Sequence, residues 1–183
     1  MFKPKIGEII PDLKINGIPA PYPVLDDNAV RAGAGLMFVL GMIALVFSLT
    51  THTPLLANII VPIITLDLFI KVFIGPKYSP FLIIGTSLVK NKKPEWVGAK
   101  QKQFAWIIGL ALAFIVFLII SIFGKCGPGM LICIICLIFM WAEAVLGNCI
   151  GCNVYVSLRN KGYIKEEEYA PVCSGGACDI GKE

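Results

Sequence analysis

Four long apolar runs divide the chain, at about Val30 to Thr50, Pro54 to Ile74, Phe104 to Phe123 and Met130 to Ile150. Each is close to the ~20 residues that carry a helix across a ~30 Å hydrocarbon layer. The third run holds no ionisable group, whereas a core helix of a soluble protein shows a polar stripe at helical spacing. Lipid admits only helices or closed barrels, and these runs are too long and too evenly apolar for barrel strands. The pattern predicts an all-α polytopic membrane protein with four transmembrane helices.

The segments between the runs carry their own signals. The first 29 residues hold several Pro and acidic residues rather than the short apolar core of a signal peptide, and read as a small arm. Within it, Asn16-Gly17 favours a tight hairpin turn. Asp26, Asp27 and Asn28 offer capping oxygens to the first helix. Gly75-Pro76 stops the second run, and the semi-apolar stretch from Tyr78 to Val89 is too short to cross. It is expected to form a short interfacial helix, with Pro94-Glu95-Trp96 and Trp106 anchoring the approach to the third span. The expected organisation is an N-terminal arm over 1–29, a four-helix membrane domain over 30–152 and a Cys-containing tail over 153–183.

Composition agrees. Apolar residues make up 57% and charged residues 15%, against ~45–50% and ~25% in ordinary soluble domains. This excludes a disordered chain and disfavours a water-soluble fold. A net charge of +4 invites a nucleic-acid reading until the positions of the charges are inspected. All but Lys71 and Lys125 of the 16 basic residues precede or enter the first run, lie between the second and third, or follow the fourth. Four spans place those three regions on one side, which the positive-inside rule makes cytoplasmic, termini included. Topology and the lipid bilayer therefore account for the basic balance, no nucleic-acid partner is expected, and the expected location is the cell membrane.

Several segments occur in a recognisable order: Asp26-Asp27-Asn28-Ala29-Val30-Arg31, then Asp67 with Gly75-Pro76 and Tyr78-Ser79-Pro80, then Lys102-Gln103-Phe104-Ala105, then Leu146-Gly147-Asn148-Cys149-Ile150-Gly151-Cys152. In these the chain resembles a family of small four-helix bacterial and archaeal membrane proteins described only as a domain of unknown function. The resemblance covers about residues 25 to 158, supports the topology and marks the two cysteines. It implies no activity.

The chemistry rests on the 7 cysteines and the charges within spans. Cys149 and Cys152 close the fourth run at its cytoplasmic end, and Cys173 and Cys178 lie in the tail. In one reading the two pairs are thiols that relay a disulfide or persulfide, with the tail on a flexible linker. The expected position of Cys149 and Cys152 at a helix C-terminus opposes this, because the dipole there disfavours a thiolate. In another, all four ligate zinc or an iron–sulfur centre. In a third the cysteines are small apolar fillers, which suits Cys133 and Cys136. Cys126 falls in the outer loop.

Asp67 and Glu143 fall at similar depth, and Lys71 is one turn from Asp67 on the same face. Such groups are expensive in lipid and seek partners inside the bundle. They form either a polar pocket leading toward Cys149 and Cys152, or structural pairs, Asp67 with Lys71 and Glu143 with Arg31 or a backbone group. The single histidine, His52, excludes histidine-based machinery within one chain. The sequence therefore predicts a protein that handles thiols or reduced sulfur at the cytoplasmic membrane face, working with a membrane or redox partner. A non-catalytic accessory or assembly subunit of a larger membrane complex is the alternative.

Overall fold

A computed structural model of the chain describes residues 7–11, 13–15, 18–123 and 126–163, without the side chains of 18–19, 121–123 and 126–130. Cys173, Cys178 and the side chain of Cys126 lie outside the described residues. The fold is built on helices: α1 (Asp27–Thr51), α2 (Leu55–Phe69), α3 (Pro80–Val89), α4 (Ala99–Phe123), α5 (Cys126–Leu146) and α6 (Ile150–Asn160). Among the described residues four short strands accompany them: β1 (Lys14–Ile15), β2 (Ile18–Pro19), β3 (Val24–Asp26) and β4 (Trp96–Gly98).

The β1–β2 pair is antiparallel with Ile15 opposite Ile18, as the Asn-Gly signal predicts, although the turn itself lies outside the described residues. The β3–β4 pair joins chain segments far apart in sequence, Leu25 opposite Val97. It ties the start of α1 to the start of α4. Asp26 then caps α1, its carboxylate accepting from the Asn28 N–H at 3.1 Å and from the Glu95 N–H at 3.1 Å.

The second apolar run is α2 extended by a π-helical turn, Ile70–Ile74. It stops where expected, since Gly75 adopts φ 138°, a conformation open to glycine and closed to other residues. Ser79 caps α3, its Oγ accepting from the Leu82 N–H at 3.1 Å. The short helix expected between the second and third runs is present, and it runs antiparallel beside the first turns of α1. A Cβ on Gly33 would sit 3.1 Å from the Phe81 carbonyl oxygen, and one on Gly85 would sit 2.5 Å from that of Ala29. Helix backbones come this close only when small residues remove the side chains between them.

Asp27–Thr51, Leu55–Ile74 and Ala99–Ile120 are each long and apolar enough to cross a membrane. The fourth run is a bent pair: Leu131–Leu146 and Ile150–Asn160 meet at 93°. The interior is filled by Met37, Ile64, Leu68, Trp106 and Ala113, with a second cluster of Ala44, Ala57, Val116 and Ile120. The outer surface of these helices is apolar too: Val39, Ile59, Leu66, Leu131 and Val145 are all exposed. A water-soluble monomer rarely shows so much contiguous apolar surface, and a lipid-facing bundle does.

Candidate functional site

The site begins where the fourth apolar run breaks. Gly147 takes φ 66° after the last residue of α5, the left-handed cap that ends helices at glycine. Cys149 follows in extended conformation and becomes the N-cap of α6, its Sγ accepting from the Cys152 N–H at 3.2 Å. Cys149 and Cys152 are joined by a disulfide, with Cα atoms 5.2 Å apart, inside the ~4.4–6.8 Å that disulfides span. Both are buried. The sequence pattern puts this pair at a helix C-terminus, and the structure corrects that: it opens a helix. The consequence is a change of sign, because the N-terminal end of a helix favours negative charge on sulfur.

α6 is fastened to α4 by close approach. A Cβ on Gly151 would lie 2.6 Å from the Cβ of Ala105, and the Phe104 and Tyr155 rings meet at a tilt of 60° with centroids 5.5 Å apart. Arg31 holds the other side of the break, donating to the carbonyl oxygens of Ala144 and Val145 at 3.4 and 3.3 Å. A guanidinium there satisfies carbonyls that α5 leaves open at its end. The expected Arg31–Glu143 pair is therefore replaced by a backbone cap.

Glu143 pairs instead with Lys102, whose ammonium lies 2.8 Å from Glu143 Oε1 and 2.8 Å from Asp27 Oδ1. Lys102 is 2% exposed and Asp27 fully buried. The sequence places Lys102 in a cytoplasmic loop and uses Asp27 as a cap; in the structure α4 starts five residues earlier, at Ala99, and draws Lys102 into the bundle. The expected Asp67–Lys71 pair is present at 2.8 Å. Asp67 Oδ1 accepts from Ser79 Oγ at 2.7 Å and from the Phe81 N–H at 3.2 Å. One carboxylate thus binds its own helix, the α3 cap and the α3 N-terminus, a structural role the sequence did not reveal.

These elements enclose a cavity of about 180 Å³ between α1, α2, α4, α5 and the start of α6. Lys71, Glu143, Cys136 and Cys149 all line it, together with Trp106 and Phe139. Lys71 Nζ stands 5.7 Å from the centre of the Trp106 ring. Trp106, expected at an interface, is buried on the cavity wall because the first turn of α4 sits inside the bundle. The structure brings Lys71, Glu143 and Cys149 to one cavity, sets Asp67 behind Lys71, and leaves Arg31 off the wall. Lys102 and Asp27 are the residues sequence reasoning missed. The available signal was Lys102-Gln103-Phe104-Ala105, whose polar start continues the apolar helix without a breaker.

Among the described residues no group of three His, Cys, Asp or Glu side chains is placed to hold a metal ion. The zinc or iron–sulfur reading needs Cys173 and Cys178, outside those residues. Searches of curated proteins and of solved structures returned no match. A family described as a domain of unknown function, DUF4395, matches residues 25–160, from the Leu25 strand through the last residue of α6, and the chain belongs to that family.

Proposed function

We propose that the protein is a four-span membrane protein with cytoplasmic termini whose Cys149–Cys152 pair exchanges thiol and disulfide states. Its partner thiols are Cys173 and Cys178 of the tail, or those of a redox protein. The observation that carries this reading is the disulfide at the N-terminus of α6, facing a cavity that also holds Lys71 and Glu143. A thiolate attacking Cys152 Sγ forms a mixed disulfide and expels Cys149 as a thiolate, which the helix N-terminus stabilises. A second thiol resolves the mixed disulfide, leaving Cys149 and Cys152 reduced and the donor pair oxidised. The distribution of basic residues supports the orientation.

The test is trapping. Cys149→Ser leaves Cys152 without its resolving partner, and that variant, purified from membranes without reductant, should carry Cys152 in a mixed disulfide with Cys173, Cys178 or a partner protein. Mass spectrometry of the wild type should show a gain of two hydrogens on reduction at this pair. Absence of both signals refutes the reading. A stable co-purifying complex with silent Cys→Ser variants would establish the accessory-subunit role instead.

A further inference from the structure

We infer that the cavity beside Cys149 binds the head ring of a lipid-soluble quinone, the two-electron acceptor for the Cys149–Cys152 dithiol. This rests on the thiol–disulfide reading and names its co-reactant. A cavity of about 180 Å³ exceeds the ~150 Å³ that admits a benzene ring in an apolar protein interior, so it takes one substituted ring and leaves a longer tail outside. Its wall suits such a ring. Trp106 and Phe139 provide aromatic surface, and Gly109 adds no side chain to the α4 wall.

Two polar groups stand on the same wall. The Lys71 ammonium carries three donors, one directed to Asp67, and so has a donor to offer a quinone carbonyl. Glu143, held by Lys102 and 17% exposed at its side chain, is a carboxylate that can carry protons across the wall. On an otherwise apolar wall the Lys71 ammonium is the group that can donate to a carbonyl oxygen of the ring, while Glu143, an acceptor, can take a hydrogen bond only from the hydroxyl of the reduced ring.

The mouth of the cavity identifies the phase from which the ligand comes. Phe139 and Val154 line the cavity yet are 37% and 41% exposed, which puts the opening on the outer surface near α5 and α6. On the α5 side that surface is apolar, with Ile135, Ile138 and Val145 exposed beside Phe139, whereas α6 adds Asn153 and Ser157, so the α5 side is the one open to a ligand from lipid. The reaction balances within the two partners. The two S–H bonds of Cys149 and Cys152 break and the S–S bond forms, releasing two electrons and two protons. The quinone takes both electrons and both protons, and its carbonyls become the hydroxyls of a quinol.

The experiment uses the full chain in phospholipid nanodiscs with decyl-ubiquinone as the probe. Binding is read by quenching of Trp106 fluorescence in a Trp96→Phe/Trp141→Phe background. Turnover is read by anaerobic ultraviolet titration of the pre-reduced protein. The expected result is saturable quenching and one quinol formed per Cys149–Cys152 disulfide. Gly109→Leu fills the cavity and should weaken binding about tenfold or more. Leu131→Ala, on the exposed face of α5 and not on the cavity wall, should keep binding near the wild type. Cys149→Ser/Cys152→Ser should still quench and form no quinol. No saturable quenching, or quenching without quinol, in a protein whose pair still alternates between dithiol and disulfide with dithiothreitol overturns the quinone site alone. A pair that never changes redox state overturns both this site and the thiol–disulfide reading.

Discussion

Replacing Lys102 with Met keeps most of the side-chain volume and removes the positive charge that the Asp27 and Glu143 ion pairs share. In the native bundle the ammonium lies 2.8 Å from each carboxylate, with Asp27 fully buried and Lys102 2% exposed. Deleting one partner of a buried pair costs about 3–5 kcal/mol, because the remaining charge stays desolvated. Here two carboxylates lose the same partner, so the upper part of that range applies. At about 2–4 °C per kcal/mol for a chain of this size, the melting temperature should fall on the order of 10 °C or more. The assay is thermal unfolding in detergent followed by circular dichroism, alongside Asp27→Asn/Lys102→Met/Glu143→Gln. Neutralising all three removes the two carboxylate charges whose ammonium has been lost, so the triple variant should melt above the single one. A Lys102→Met protein melting with the wild type, or a triple variant melting below the single one, would refute the network as a stabilising element.

Three further outcomes follow from the same geometry. Asp67→Ala strands Lys71 and removes the acceptor for Ser79 and Phe81, so it should destabilise by about 3–5 kcal/mol, and Asp67→Ala/Lys71→Ala should be milder in the same unfolding assay. Gly85→Val should destabilise by at least about 1–3 kcal/mol, because a Cβ there meets backbone of α1 at 2.5 Å; an unchanged melting curve would place α3 elsewhere. A membrane-impermeant maleimide applied to intact cells should label Cys126 and spare Cys173 and Cys178, and labelling of the tail from outside would reverse the proposed topology.

The apolar runs were legible because burial in lipid, or in a bundle, acts on composition: nearly every position of a run must be apolar, whatever it touches, and the few charges within them need partners. The Asp67–Lys71 pair was equally legible, since a spacing of four residues makes it a property of one helix. So were the stop at Gly75-Pro76 and the β1–β2 pairing around Asn16-Gly17, each the work of a few adjacent residues. The break at Gly147-Asn148 had a local signal that the surrounding apolar run concealed. A glycine cap is written in one residue, and a count of hydrophobic positions averages it away.

What only tertiary structure decided are the relations between distant segments. Lys102 joins Asp27 and Glu143 across 75 and 41 residues, and no periodicity encodes which of several buried carboxylates a lysine will meet. That choice follows from β3 pairing with β4, which sets the starts of α1 and α4 side by side. The cavity has the same origin, as Lys71, Trp106, Glu143 and Cys149 become neighbours only through helix packing. The sequence by itself determined that the chain makes apolar helices and carries a Cys-x-x-Cys segment. Packing decided that this segment opens α6 beside a cavity rather than closing a span. The bend falls where Gly147 ends α5, and α6 is held across it by the contact of Gly151 with Ala105, a fit between two helix surfaces that neither sequence segment records alone.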